Sequence, residues 1–135
     1  MTRERLRDGD EILSRQIHPS FLVDGHVASS PFAPSAKDDN RLSVDRSSIT
    51  TAASSFELYT HNGYQSIAVY GLKVGEFESE GIPCHSDPLS ATSTQKANPA
   101  HAYADYTGAG TNQSKKIAKR LRNYAVTRGC LHPLA

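Results

Sequence analysis

The sequence predicts an α+β fold: a small mixed or antiparallel sheet of four to five strands, with a C-terminal amphipathic helix packed on one face. Three observations carry this reading. Residues 41–46 (RLSVDR) and 100–106 (AHAYADY) alternate polar and apolar with period two, as half-buried strands do. Residues 66–74 (SIAVYGLKV) are rich in Ile, Val and Tyr, the side chains that fit a pleated surface. Residues 112–128 instead follow a helical period, with Ile117, Leu121, Tyr124 and Ala125 on one stripe and Gly129 as terminator.

Length and composition bound the rest. A chain of 135 residues has room for one modest core. Only 37% of residues are hydrophobic, and Ser and Thr number 25, so long neutral loops are expected. The expected organisation is a loose charged arm at 1–10, followed by a single globular domain over 11–135.

Taken in order, Glu11–Ile17 places Ile12, Leu13 and Ile17 at roughly helical spacing, and Pro19 ends that helix at His18. Asp24-Gly25 between Phe21-Leu22-Val23 and His26-Val27-Ala28 signals a tight hairpin. Residues 29–40 read as loop. Thr50 or Thr51 caps a short helix that runs through Tyr59, buries Ala52, Phe56 and Tyr59, and stops at His61-Asn62-Gly63. Gly71 within the 66–74 strand implies a bulge or a close approach. A helical turn at 75–80 closes at Gly81, and residues 82–99 read as one long loop. Along 100–106, Ala102, Ala104 and Tyr106 share one side, and His101, Tyr103 and Asp105 the other. Thr111 caps the final helix, and Cys130-Leu131 adds a last short strand.

Charge is unevenly spread. Residues 111–135 hold six bases (Lys115, Lys116, Lys119, Arg120, Arg122, Arg128) and no acid; residues 1–110 hold nine bases against fourteen acids, a formal −5. No stretch approaches the ~18 apolar residues of a membrane helix. The first eleven residues lack the apolar core of a secretory signal, so a cytoplasmic protein with no membrane partner is expected. Two cysteines, Cys84 and Cys130, are too few for a disulfide scaffold; one bridge between them is the oxidising alternative.

Two constellations are candidates for chemistry. The first is a phosphate or nucleic-acid site at the strand-to-helix turn: Gly108 and Gly110, then Lys115, Lys116, Lys119, Arg120 and Arg122. A helix N-terminus and a basic face both attract phosphate. The P-loop spacing is absent, and Gln113 stands where a dinucleotide fingerprint needs its third glycine. The second is catalytic: His18, fixed by the following proline; Arg46, ending a strand; and the polar row His101, Tyr103 and Asp105. Cys84-His85 and Cys130-x-His132 lack the gap of a zinc knuckle, so neither metal nor cofactor is expected.

Short segments spread over residues 18–131 also resemble a set of small bacterial proteins of no assigned activity. They are His18-Pro19-x-Phe21, Ser30-x-Phe32-x-Pro34, Lys37-Asp38, Leu42-Ser43-Val44, Asp87-Pro88, Pro99-Ala100-His101-Ala102 and Arg128-Gly129-Cys130-Leu131. The resemblance implies a bacterial or phage cytoplasmic protein and carries over no site residue. Three function classes follow from the residues. The leading one is a binding module whose basic helix and glycine turn engage nucleic acid or a nucleotide phosphate. The others are a small enzyme acting on a nucleotide or nucleic acid through His18, Arg46 and His101, and an antitoxin- or immunity-like subunit that pairs its split charge with a protein partner.

Overall fold

The computed structural model describes residues 3–133. Its strands are β1 (Ile12–Ile17), β2 (Leu22–Val23), β3 (His26–Val27), β4 (Arg41–Arg46), β5 (Ala68–Lys73), β6 (Cys84–Ser86), β7 (His101–Asp105) and β8 (His132–Pro133). Its helices are α1 (Ala52–His61), α2 (Val74–Ser79) and α3 (Thr111–Arg128). One antiparallel sheet runs β6-β7-β4-β1-β5-β8, and β2 and β3 form a separate two-stranded hairpin. The fold is therefore the expected α+β architecture, with the two-residue β8 extending the sheet to six strands.

Alternation decides the two faces of the sheet. Leu13, Ile17, Leu42, Val44, Leu72, Ala102, Ala104 and Cys84 are all buried on one side. Over them lie Ile117, Ala118, Leu121 and Ala125 of α3, with Phe32 from a short 3-10 turn at Ser30–Phe32. The opposite side carries Ser14, Gln16, Ser43, Asp45 and His101, and α1 covers part of it.

Local chemistry explains most boundaries. Asp24 and Gly25 both have positive φ (52° and 78°), as a two-residue hairpin requires. The Thr51 hydroxyl accepts from the Ser54 N–H and caps α1, and Gly63 (φ 95°) follows its end. A Cβ on Gly71 would meet Leu131 and Ile12 side chains at 2.6 and 2.7 Å. The glycine therefore serves a close approach, and β5 keeps an unbroken register with β1.

Several expectations are corrected. Residues 12–17 form the central strand β1, not a helix. Leu13 and Ile17 are four apart, which puts them on one face under either period, so spacing alone misleads. Residues 82–99 are not one loop: β6 lies within them, and Leu89 bridges Asn98. Gly110 caps α3 and Thr111 is its first helical residue. Tyr124 leaves the buried stripe and is 45% exposed, its place taken by Ala118. In α1 only Ser55 is fully buried; Ala52, Phe56 and Tyr59 are half-buried. The last strand begins at His132, beyond Cys130-Leu131. The described part of the expected loose arm, residues 3–10, is held against the sheet. Leu6 is buried and donates to Cys84 O, and Ser86 donates to Glu4 O.

Cys84 and Cys130 are free thiols at opposite edges of the sheet, about 24 Å apart by strand spacing, so they form no bridge. Burial pushes the Cys84 thiol up to about 12. Among the described residues, no helix is long and apolar enough to cross a membrane.

Candidate functional site

A cleft of about 590 Å³ opens on the polar face of the sheet, within the size range of small-molecule sites. Its floor is Ser14, Gln16, Ser43, Asp45 and His101. Leu58 and Tyr59 of α1 and its C-cap Asn62 form one wall, with Tyr64 just beyond it. Leu89, Thr92, Gln95, Lys96 and Asn98 form the other, and Asp38 and Arg41 also line the cleft.

A chain of hydrogen bonds fixes the floor. Ser66 Oγ donates to Gln16 Oε1 (2.7 Å), and Gln16 Nε2 donates to Ser55 Oγ (2.9 Å). Ser55 Oγ in turn donates to Asp45 Oδ2 (2.6 Å), whose Oδ1 accepts from Asn98 Nδ2 (2.9 Å). Each buried polar group thereby has a partner, which makes the floor rigid rather than merely tolerated.

Arg15 is the most unusual lining residue. β1 pairs with β4 at only two positions, Leu13 with Arg46 and Ser14 with Asp45. Next along β1, Arg15 spans to β4 by donating from Nη1 to Ser43 O (3.1 Å), while Nε donates to Pro31 O (2.7 Å). Both acceptors are neutral carbonyls, and among the described residues no carboxylate lies within ion-pair distance. Burial pushes the Arg15 pKa below the ordinary guanidinium value, and the nearby Tyr59 and Asp38 only partly offset it. Arg15 shares the parity of Leu13 and Ile17, so its guanidinium sits where β1 and β4 part, between the cleft it lines and the Pro31–Phe32 turn. A guanidinium stays charged in a protein, so this is a desolvated cation with donors to spare.

His101 lies across the same floor, opposite Asp45 in the β4–β7 register. Its Nδ1 is 3.0 Å from Asp87 O and 3.3 Å from Asp87 Oδ2. Arg3 Nε donates to the other carboxylate oxygen of Asp87 (2.6 Å). With Nδ1 engaged by Asp87, Nε2 is the ring nitrogen left without a hydrogen bond among the described residues. A histidine oriented by a carboxylate in this way is equipped for general acid–base work.

Of the five candidate catalytic residues, the cleft is lined by His101 alone. His18 follows the last residue of β1 and accepts from Ser20 N at its own Nδ1. Strand geometry puts it about 13 Å along and about 10 Å across from His101. Arg46 is on the opposite face, bidentate to Glu11, and Glu11 also accepts from Ser48 Oγ. Burial raises the Glu11 pKa, but these hydrogen bonds outweigh it and hold the carboxyl below its usual value. Tyr103 is buried between His85, stacked at 5.4 Å, and the Arg41 guanidinium, 4.7 Å above its ring. Asp105 accepts from the backbone and hydroxyl of Thr107.

The candidate phosphate residues lie elsewhere, around α3. The Gly110 carbonyl accepts the first helical bond from Ser114 N, and Gly108 is in the preceding turn. The body pairs two of the tail's six cations with carboxylates and gives a third a backbone carbonyl. Arg120 binds Glu80 (2.6 Å), Arg128 binds Glu76 (2.7 Å), and Arg122 donates to Val27 O (2.9 Å). Lys115, Lys116 and Lys119 are exposed and make no ion pair among the described residues.

Sequence reading missed Arg15, Arg41, Tyr59, Asp87 and Asn98. Their common signal would have been long-range pairing, which no local pattern encodes. Comparison with protein-family models, curated proteins and solved structures finds no match to this chain.

Proposed function

We propose that the protein is a small enzyme acting on a phosphorylated small molecule held in the polar cleft. Arg15 and Arg41 receive the anionic group, and His101 exchanges a proton with the reacting atom while Asp87 orients its ring. The observation that carries this is the desolvated Arg15 guanidinium, without a carboxylate partner among the described residues, in one cleft with a histidine whose Nδ1 is tied to a carboxylate. Arg is the residue suited to such bidentate anion recognition.

The test is phosphorus NMR of the protein with inorganic phosphate and then with a panel of phosphate monoesters and diesters. The expected result is phosphate line broadening that Arg15→Gln abolishes, plus a new phosphorus resonance from one ester that His101→Gln prevents. Phosphate binding indifferent to Arg15 would end the proposal.

A second reading rests on Lys115, Lys116 and Lys119, the part of the basic helix that the body leaves unanswered. They favour contact with a nucleic-acid backbone outside the cleft. Retention on a polyanion resin would then fall with salt, and Lys115→Glu with Lys119→Glu would weaken it.

A further inference from the structure

Beyond the anion-holding parts, the cleft has an aromatic wall that they do not use. Tyr59 and Tyr64 stack with centroids 4.9 Å apart and planes at 27°. Both line the cleft, and Tyr64 remains 47% exposed despite its size. Leu58 and Leu89 add apolar surface to the same walls.

This ring pair is fixed in place. Gln95 Nε2 donates to the Tyr64 hydroxyl (2.7 Å), and Lys96 N donates to Asn62 Oδ1 (2.9 Å). Both bonds run from the 89–98 segment to the residues just after α1, so the two walls are joined to each other. The segment is itself closed by a turn in which Thr92 N donates to Gln95 O (2.9 Å). Tyr64 is therefore an ordered platform, whose stacking face costs a ligand little ordering to use.

The wall adjoins the cation. Arg15 and Tyr59 are close enough that the guanidinium charge opposes the effect of burial on the Tyr59 phenol, though burial still leaves that pKa raised. Arg15, Tyr59 and Tyr64 all line the cleft, and Tyr64 is the exposed member of the stacked pair, so one cleft offers a positive charge and an open ring face. A molecule that satisfies both carries an anion and a flat ring joined by a short spacer.

We propose that the ligand of this cleft is a mononucleotide, its phosphate on Arg15 and Arg41 and its base stacked on Tyr64. The proposal rests on the anion reading above and adds the ring. A sugar phosphate would leave the aromatic wall unused; a free nucleobase would leave Arg15 unanswered. Asn62 and Gln95, which brace this wall, also line the cleft with amide groups, the donors and acceptors that a base edge requires.

Calorimetric titration of the full chain with AMP, UMP, ribose 5-phosphate and inorganic phosphate tests this. At least one nucleotide is expected to bind ten- to a hundredfold more tightly than ribose 5-phosphate, the range that one stacked base contributes. Tyr64→Leu is expected to remove that advantage and leave ribose 5-phosphate within twofold of wild type. Tyr64→Phe is expected to keep the advantage, since it retains the ring. Tyr64 is half exposed, so these variants fold, and unchanged phosphate affinity verifies it.

If the nucleotides and ribose 5-phosphate bind alike, or if Tyr64→Leu weakens both equally, the ring site is overturned while the anion site stands. If phosphate, ribose 5-phosphate and nucleotides all bind without dependence on Arg15, the anion reading fails, and this proposal with it.

Discussion

Under α3, β4 and β7 present Leu42, Val44, Ala102 and Ala104, all buried against Ile117 and Leu121. Under α1 the same two strands present Ser43, Asp45 and His101, tied into a hydrogen-bonded floor. The strands are shared, so strand propensity cannot explain the difference. The residue at every second position does, and with it the kind of stabilisation each face supplies. One face gains from area removed from water; the other holds polar groups whose benefit is position. A face that only had to be stable would not bury Asp45 within a chain of side-chain hydrogen bonds that ends in no cation. The contrast predicts that substitutions on the α3 face act on stability, and those on the α1 face act on ligand.

The largest effect expected is from Leu121→Ala, which empties a fully buried position in the apolar layer. The loss is about 2–5 kcal/mol, read as a shift of the urea midpoint. Phosphate affinity of the protein that remains folded should be unchanged. Equal loss of affinity and stability would mean that the two faces are not separable.

Next is Glu11→Gln, at the end of the sheet where Glu11 is bidentate to Arg46. The Glu11 side chain is 5% exposed and that of Arg46 25%, so solvent weakens the pair only in part. About 1–2 kcal/mol is expected at neutral pH. Because the native pKa lies below the unfolded one, this contribution is present above about pH 4.3 and is lost as pH falls through the native value. The substitution should therefore flatten the acid limb of the stability curve. Asp38 and Asp105, also held below their usual values by hydrogen bonds against burial, keep the rest of it.

Ser55→Ala probes the polar floor itself. It removes the hydroxyl between Gln16 Nε2 and Asp45 Oδ2, and a cost of about 1 kcal/mol is expected. Phosphate binding should weaken several-fold as Asp45 and Gln16 lose their fixed positions. A stability change without any effect on binding would reduce the network to scaffolding.

The same contrast explains what the sequence made legible. Apolar periodicity is local, so β4, β5, β7 and α3 were readable, and Asp24-Gly25 announced its hairpin. The polar floor joins Gln16 to Ser55 and Ser66, and Asp45 to Asn98, across 39, 50 and 53 residues. Nothing in a short window signals such bonds. Arg15 was hidden twice over. It lies in a strand whose apolar spacing also suits a helix, and its isolation from carboxylates is a property of the packed state. His101 was visible because an alternating strand exposed its parity. Its carboxylate, Asp87, stands 14 residues earlier, next to a strand of only three residues.

The smallest stability effect, and the one that divides the two faces most sharply, is expected from Arg15→Gln. Losing donors to Pro31 O and Ser43 O costs stability, because both carbonyls are then less well satisfied. Removing a desolvated charge that has no counter-ion restores stability, because the native state no longer holds a cation away from water. The two terms oppose each other, and the net change should stay within about 1 kcal/mol in urea unfolding. Phosphate binding, by contrast, should be lost. An arginine kept for structure would behave in the reverse way, with a large loss of stability and phosphate affinity intact. A residue whose removal leaves the fold in place but empties the cleft is held there for what it binds.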